Sequence, residues 1–344
     1  MSQPRKSTLI LVAERAGVSI ASVSRVLNGL PASPELAERV RAAADELGYA
    51  PDATARSLKA GKTFQIALAV ADLGNPVYVS MMRAVTEVVG KSGYRLVLSS
   101  TGNDPANQIK LLESMGRGYV DGLILIPLRV TDELLAQIRS SRVPIVVIGS
   151  IPPDVEIDSV RADSATGVSI AVNHLYDQGR RRIAFVNGPV DTVPGAARLA
   201  GFLESIEALG LASSAEMQVE AEDFTYRPGQ VASERLFDQA TPDAVVCAND
   251  LLAVAAIKVA TQRGLRVPED VAVIGMDDTE VAELSNPSLS SVDLGSATRA
   301  MVAAELLISR LADPTLPARR QVVAPSLTIR ESTARLSASM EEAP

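Results

Sequence analysis

The sequence predicts a small all-α domain followed by a larger α/β core of two lobes, each built on a parallel sheet. Two short helical patterns separated by a glycine turn occupy residues 8–28. From residue 64 onward, apolar runs alternate with amphipathic helical stretches, which is typical of parallel sheets covered on both faces. About eleven strands are more than a single open sheet comfortably holds, so we expect two lobes.

The first two helices form a predicted helix-turn-helix. In the first helix, apolar residues at three- and four-residue spacing share one face: Leu9, Val12, Ala13 and Ala16. The second helix runs from about Ile20 to Leu27. Between them, Gly17 can adopt a positive φ and Ser19 is a good N-cap. Two helices joined by a short turn that contains glycine match the helix-turn-helix description.

The second helix offers a surface that suits a DNA major groove. It carries small side chains, hydroxyls and one guanidinium, and no acid: Ser19, Ile20, Ala21, Ser22, Ser24 and Arg25. Small residues permit close approach, hydroxyls bind phosphates, and an arginine can bind guanine O6 and N7 together. The alternative is a helical hairpin that serves only as a packing unit.

A third helix is predicted from about Pro34 to Leu47, with Ser33 as its N-cap and Gly48 at its end. The helix-turn-helix domain therefore covers residues 1–50. Residues 51–63 form a predicted hinge segment, which is too short to hold a helix alone in water. An inert flexible tether is the alternative interpretation of this segment.

The charge is divided unevenly along the chain. The net charge is −8, yet residues 1–62 hold nine Lys and Arg against six Asp and Glu, while the remainder holds 24 against 35. The positive charge lies with the helix-turn-helix, and phosphate would repel the acidic remainder. DNA binding by the first segment is therefore expected to depend strongly on salt.

Composition also bears on location. No apolar run approaches the length of a membrane span, and no signal-peptide pattern follows the first basic residues. The single cysteine, Cys247, cannot form an intrachain disulfide and lies in an apolar run that predicts a buried strand. We expect a cytoplasmic protein without a membrane partner.

The core is predicted as alternating strands and helices. Apolar runs predict strands at 66–71, 95–99, 122–126, 144–148, 182–186, 244–248 and 271–274. Amphipathic stretches predict helices at 77–91, 106–116, 165–177, 195–209, 229–240, 251–264 and 296–311.

Polar residues follow several of these strands. Since ligands bind beyond the carboxyl ends of strands in open α/β sheets, we expect a site where these residues meet: Asp72, Arg198, Asn249 and Asp277. Such groups can bind the hydroxyls of a sugar, polyol or nucleoside against an apolar wall, for which Phe224 is the candidate. Asp250 and Asp278 are instead expected to cap the helices that follow them.

Short motifs along the chain carry a family resemblance. The N-terminal motifs are A-G-V-S-x-x-S-V-S-R-V-L-N, S-P-E-x-x-x-R-V and L-G-Y-x-P-D-x-x-A-R-S-L, and the core motifs are R-L-A-G-F, N-D and G-M-D-D. With these motifs the chain resembles the LacI/GalR family of bacterial transcription regulators. Three positions depart from the family pattern: Leu11 replaces a usual Asp, Ser22 a usual Thr, and Gly149 an Asp of some sugar-binding relatives.

The resemblance implies a core of the periplasmic-binding-protein type (type I) over residues 64–335. Lobe one would comprise 64–163 and 293–322, and lobe two 164–292 and 323–335, with a tail at 336–344. The family works as a homodimer on a pseudopalindromic duplex operator, under the control of a small effector bound between the lobes. The sequence does not indicate the effector, the operator, or whether the effector releases or promotes DNA binding.

The resemblance also implies roles for particular residues. The implied DNA contacts are Thr8, Ser19, Ile20, Ala21, Ser22, Ser24, Arg25 and Asn28, with Ala55 and Leu58 from the hinge. Leu58 would wedge between base steps in the minor groove, where the cost of unstacking is offset by wider contact with bent DNA. The implied effector contacts are Val77, Tyr78, Arg198, Phe224, Asn249 and Asp277.

Signatures of other chemistries are weak in this sequence. His174 is the only histidine and is predicted at a helix surface or interface, so no metal or other cofactor is expected. Common nucleophile, zinc and dinucleotide motifs do not occur. We therefore favour a ligand-controlled repressor over two alternatives. A transport solute-binding protein would need a secretion signal, and a sugar or nucleotide enzyme would need a recognisable catalytic set.

Overall fold

The computed structural model describes residues 8–27, 30–49, 57, 60–115, 118–212 and 214–334. The chain divides into two compact units after Thr63. Most of the predicted hinge at 51–63 and the tail at 336–344 lie outside the described residues. The same holds for Asn28, Ala55 and Leu58.

Within residues 8–49 the first unit forms the helices α1 Leu9–Ala16, α2 Ile20–Leu27 and α3 Pro34–Glu46. Their apolar faces enclose one shared core. The turn between α1 and α2 has Gly17 at φ 64°, as predicted. Thr8 caps α1, since its Oγ1 accepts from Leu11 N at 3.4 Å. The family departure at Leu11 therefore leaves this helix with a cap, which the threonine supplies.

The second unit alternates strands and helices over most of its length. In chain order these are β1 Gln65–Val70, α4 Pro76–Lys91, β2 Arg95–Ser100, α5 Pro105–Met115, β3 Gly122–Leu125, α6 Asp132–Ser140, β4 Ile145–Ile148, β5 Asp158–Ala162, α7 Ser164–Asp177, β6 Ile183–Asn187, α8 Val193–Ala208, a 3₁₀ turn Ala215–Met217, β7 Gln218–Glu220, α9 Tyr226–Gln239, β8 Ala244–Cys247, α10 Asp250–Gln262, β9 Ala272–Met276, α11 Glu280–Leu284, β10 Ser290–Asp293, α12 Ser296–Ala312, β11 Arg320–Val323 and β12 Ser326–Thr328.

These strands form two six-stranded sheets, one in each lobe. The orders are β11-β5-β4-β3-β1-β2 and β12-β10-β9-β8-β6-β7. The described pairings are parallel, except that β12 runs antiparallel to β10. The chain passes between the sheets three times, after β5, β10 and β11. The predicted two-lobed α/β core with mainly parallel sheets is confirmed.

Both faces of the first sheet are covered at its centre, which explains the apolar runs of β1, β3 and β4. In β1, Ile66, Leu68 and Val70 join the core formed with α4 and α12, while Ala67 and Ala69 join the core formed with α5 and α6. Alternate residues of a strand point to opposite faces, so a strand buried on both sides has no polar positions.

Several elements were absent from the sequence prediction. Helices α6 and α11 were not predicted, and neither were the short or polar strands β5, β7, β10, β11 and β12. Helix α9 begins at Tyr226 rather than at Gly229. Pro228 is compatible with this earlier start because it lies in the first turn of the helix, where its missing N–H leaves no hydrogen bond unmade.

Candidate functional site

A cavity of about 430 Å³ lies between the two lobes of the second unit, at the carboxyl ends of strands from both sheets. Its walls are contributed by both lobes, and parallel strands bring their following loops together at this edge. The cavity is lined by all six residues that the sequence predicted as effector contacts: Val77, Tyr78, Arg198, Phe224, Asn249 and Asp277.

A buried arginine and a buried aspartate face each other in the second lobe. Arg198 on α8 is 7% exposed and Asp277 after β9 is 9% exposed. Arg198 Nη1 donates to Ala248 O at 2.6 Å, and Nη2 lies 3.7 Å from Asp277 Oδ1. Arg198 Nε is buried without a hydrogen-bond partner among the described residues. The guanidinium is therefore held by the protein without being fully satisfied, which is costly for a buried polar group.

An unusual backbone turn aims Asp277 into the cavity. Asp277 and Asp278 have φ values of 94° and 46°, and Asp277 N donates to Val292 O at 2.9 Å. Positive φ at two consecutive non-glycine residues is strained and is found where function needs a particular side-chain direction. Burial raises the pKa of Asp277, although the charges of Arg198 and Arg299 oppose this rise.

Phe224, the predicted apolar wall, is held by two neighbours. Asn249 Nδ2 donates to Phe224 O at 2.9 Å, while its Oδ1 accepts from Leu252 N at 2.9 Å and so caps α10. A Cβ at Gly188 would lie 2.3 Å from the Phe224 ring, so glycine makes room for the ring. The Arg198 guanidinium lies 5.8 Å from the ring centroid, within the range of a cation–π contact.

The first lobe contributes the start of α4. Asn75 caps this helix by accepting from Val77 N at 3.1 Å, which fixes Val77 and Tyr78 at the cavity wall. Burial, with the charge of Asp277 as the next cause, raises the pKa of Tyr78 well above its ordinary value. The phenol therefore keeps its proton and is available as a hydrogen-bond donor.

Four further charged residues of the cavity wall were missed by the sequence prediction. Arg299 lies on α12, Arg161 and Asp163 lie in and just after β5, and Asp223 lies between β7 and α9. Arg299 had a detectable signal, since it occupies the otherwise apolar and small stripe of α12. That stripe consists of Ser296, Ala300, Ala303, Ala304 and Leu307.

The capping roles predicted for Asp250 and Asp278 are wrong. Asp250 accepts from Thr279 N at 2.7 Å and from Ser291 Oγ at 2.5 Å, and so ties the loops that follow β8 and β9 to strand β10. Asp278 forms an ion pair with Arg330 at 2.7 Å. Both carboxylates lie where neighbouring strands end, and the nearby donors come from distant sequence rather than from the next helix.

In the helical unit, the predicted DNA-contact residues of α2 lie on its accessible side. Ser19, Ala21 and Arg25 are exposed, Ile20 is 47% exposed, and Ser22 and Ser24 are half-buried. Thr8 is exposed at the start of α1. Ser19 Oγ accepts from Ser22 N at 3.1 Å, which confirms the predicted N-cap.

The single histidine has a hydrogen-bond partner, and the single cysteine is buried. His174 is half-buried, with Nε2 2.9 Å from Thr333 Oγ1. Cys247 is fully buried, and burial raises the pKa of its thiol. In the described part of the chain, no cluster of His, Cys, Asp and Glu is arranged to hold a metal. Among the same residues, no helix combines the length and apolar character needed to cross a membrane.

Two family models match this chain. The model for bacterial regulatory proteins of the lacI family matches residues 8–52, and the model for a periplasmic binding protein-like domain matches residues 172–333. The HTH-type transcriptional regulator CelR of Thermobifida fusca is 36% identical over 342 residues, which cover 96% of this chain and 100% of that protein.

Two solved structures are similar over nearly the whole chain. A complex of the transcriptional regulator CelR with cellobiose has a TM-score of 0.73 at 34% identity, covering 95% of this chain and 99% of that one. The lac repressor dimer bound to operator and the anti-inducer ONPF has a TM-score of 0.85 at 26% identity, covering 96% of this chain and 100% of that one.

Proposed function

This chain belongs to the LacI family of bacterial regulatory proteins, and we propose that it is a repressor whose operator affinity is set by a small polar effector bound between its lobes. One observation carries the proposal. The same chain joins a helix-turn-helix with an accessible second helix to a two-lobed core whose cavity gathers Arg198, Asp277 and Phe224.

The DNA-reading end is supported by the surface of α2. Its exposed Ser19, Ile20, Ala21 and Arg25 suit a major groove, and its unit has a net positive charge, whereas the core is acidic. Arg25 is the candidate for guanine recognition, since its guanidinium can bond O6 and N7 together. Phosphate contacts from the same unit would fix the register on the duplex.

The effector class follows from the chemistry of the cavity. An aromatic wall (Phe224), a charged pair (Arg198 and Asp277) and a phenol donor (Tyr78) can orient a ligand that carries several hydroxyls. The similarity to a CelR complex with cellobiose supports a carbohydrate-like effector. We propose that all six predicted contact residues touch it.

We propose that the active form is a homodimer that reads a pseudopalindromic operator. Helices α4 and α12 form an accessible groove in the first lobe, and Met301 in this groove is 41% exposed. The similarity to a lac repressor dimer bound to operator supports this assembly. Effector binding would change the lobe arrangement and act on DNA through residues 51–63, within the limit set by its differential affinity for the two states.

We assign this chain no catalytic role and place its action in the cytoplasm, where operator DNA lies. The relatives reported above are regulators. The residues gathered at the cavity bind and orient a ligand, and no bond-breaking step needs to be assigned to them.

The proposal is tested in two stages with the full chain. Binding selection from random duplexes should enrich a pseudopalindromic site, and thermal shift with sugars, polyols and nucleosides should find a ligand that raises the melting temperature. That ligand should change the operator Kd measured by fluorescence anisotropy. In Asp277→Asn, which tolerates the positive φ at this position, DNA binding should remain and the ligand response should be lost. Failure to enrich any duplex would contradict the proposed function.

A further inference from the structure

Arg299 lies in the cavity wall as a nearly buried cation. It is 9% exposed and belongs to α12, on the first-lobe side of the cavity. Its Nε donates to Leu294 O at 3.1 Å and its Nη2 lies 3.4 Å from Ser296 Oγ. Nη1 has no hydrogen-bond partner among the described residues, and the guanidinium forms no ion pair with any carboxylate described there. Neutral oxygens alone therefore hold this charge in place.

The buried charges of the cavity do not balance. Arg198 and Arg299 are two buried guanidiniums, and Asp277 is the buried carboxylate that faces them. Asp277 lies 3.7 Å from Arg198. Buried charges are normally paired, because an unpaired one loses its hydration without compensation. The wall therefore has at least one positive charge in excess.

The less buried carboxylates of the cavity wall, and Asp293 near Arg299, do not remove this excess. Asp72 is exposed, and Asp163, Asp223 and Asp293 are half-buried. Each of them accepts a hydrogen bond from a nearby backbone N–H instead of pairing with Arg299: Asp72 from Gly74, Asp163 from Thr166, Asp223 from Thr225 and Asp293 from Gly295. Water reaches these groups and weakens their effect on a buried charge.

We propose that the effector is a polyhydroxylated molecule carrying an anionic group, a carboxylate or a phosphate, and that Arg299 binds this group through its Nη1 edge. This inference rests on the proposed function and narrows its effector class. Arg198 and Asp277 of the second lobe then serve the hydroxyls. A ligand of this kind touches both lobes, so its binding favours one lobe arrangement over others.

The electrostatics of Arg299 agree with this assignment. Burial lowers the pKa of Arg299, although the charge of Asp277 opposes this change. An arginine nevertheless stays protonated in proteins. The folded protein therefore keeps a buried positive charge at Arg299 that no carboxylate in the described ranges neutralises, which lowers its stability. An anion in the cavity relieves that cost, and charge-assisted hydrogen bonds to a guanidinium are the strong ones.

The test uses matched ligand pairs that differ in one anionic group. Gluconate is compared with sorbitol, glucuronate with glucose, and glucose 6-phosphate with glucose, each by thermal shift and titration calorimetry on the full chain. We expect an anionic member to bind roughly tenfold to hundredfold more tightly than its neutral counterpart. The sugar acids and the sugar phosphate separate the two sources of negative charge.

Variants connect the preference to Arg299. Arg299→Gln should weaken binding of the anionic member far more than binding of the neutral one, so that the preference for the anion is lost, and Arg299→Lys, which keeps the charge, should restore part of it. The control is Arg139→Gln, which removes the same charge elsewhere in the first lobe. Arg139 lies on α6, is exposed and forms an ion pair with Asp154. It should leave both affinities unchanged. Melting of the ligand-free variants reports their folding.

Two outcomes would overturn the inference. One is that no anionic member stabilises the protein, and the other is that Arg299→Gln weakens the anionic and neutral members alike. If neutral ligands bind and change the operator Kd, the proposed function stands while the inference about charge fails. If no duplex is bound, the proposed function fails, and the ligand titrations still decide the role of Arg299.

Discussion

Burial controls the protonation of Asp250, beside the effector cavity. Burial is the largest cause and the charge of Asp277 is the next, and together they raise the pKa of Asp250 to about 7, while hydrogen bonds from Ser291 and Thr279 oppose the rise. The folded pKa lies above the ordinary value of 3.8. Asp250 therefore contributes stability that is fully present below the ordinary pKa and is lost as the pH rises through about 7.

Asp250→Asn should flatten this pH dependence. An amide does not titrate, so the difference in unfolding free energy between the natural chain and the variant should change steadily from about pH 4 to about pH 7 and then level off. Urea unfolding across this range measures the difference. Parallel stability curves for the two proteins would show that Asp250 titrates normally when folded.

Arg25→Ala should weaken operator binding by about 1–3 kcal/mol and relax the preference at one base pair, because a bidentate contact to guanine would be lost. Competition binding with singly substituted operators measures both effects. Arg15→Ala is the matched control, since Arg15 on α1 is exposed and paired with Glu46 at 2.7 Å. An equal loss on every duplex would identify Arg25 as a phosphate contact instead.

Among the helices, α7 and α8 pack closely because of a glycine. A Cβ at Gly201 of α8 would lie 2.7 Å from the Cα of Ala165 in α7. Backbone atoms cannot move aside as a flexible side chain can, so the glycine sets how closely the two helices approach. The R-L-A-G-F motif thus combines a cavity residue, Arg198, with the packing residue that positions its helix.

Gly201→Ala should destabilise the chain by about 1–3 kcal/mol through overpacking. Gly90→Ala is the matched control. It lies in α4 with nothing within 4 Å of the added Cβ, so it should stabilise by about 0.5–1 kcal/mol through helix propensity. Thermal and urea unfolding of the two variants measure the contrast. Equal stability of the two variants would mean that α7 and α8 separate without cost.

The two lobes are bridged at the edge of the cavity. Arg129, after β3, donates through Nε and Nη2 to Asp191, after β6, both at 2.8 Å. Val193 N also donates to Leu128 O at 2.7 Å. These contacts join loops from different sheets, so they exist only in arrangements that keep the lobes close.

Asp191→Asn should weaken effector binding by about fivefold, since a well-aligned pair near the surface contributes about 1 kcal/mol to closure. Calorimetry with the ligand found by thermal shift measures the change. Asp154→Asn is the control, because Asp154 pairs with Arg139 inside one lobe. Unchanged affinity in Asp191→Asn would mean that this bridge does not favour the ligand-bound arrangement.

Local signals in the sequence predicted most of the elements that position the cavity. Thr8, Ser33 and Gly17 mark helix ends through hydrogen bonds to residues at most four positions away. Helix ends of this kind can therefore be predicted from the residues next to them in the sequence. Apolar strands buried on both faces are equally visible. The short polar strands β10, β11 and β12 gave no such signal, because partners from distant sequence hold them in place.

By itself, the sequence determined the helix-turn-helix, the alternation of strands and helices, and through family motifs the six residues expected at the effector. These depend on spacing within a short window. Only the tertiary structure brought Arg299 to the cavity, joined Arg129 to Asp191 and gave Asp250 its partners. The physical reason is that a charge acts on whatever the fold places within a few ångströms of it. Three passages of the chain between the lobes decide those neighbours.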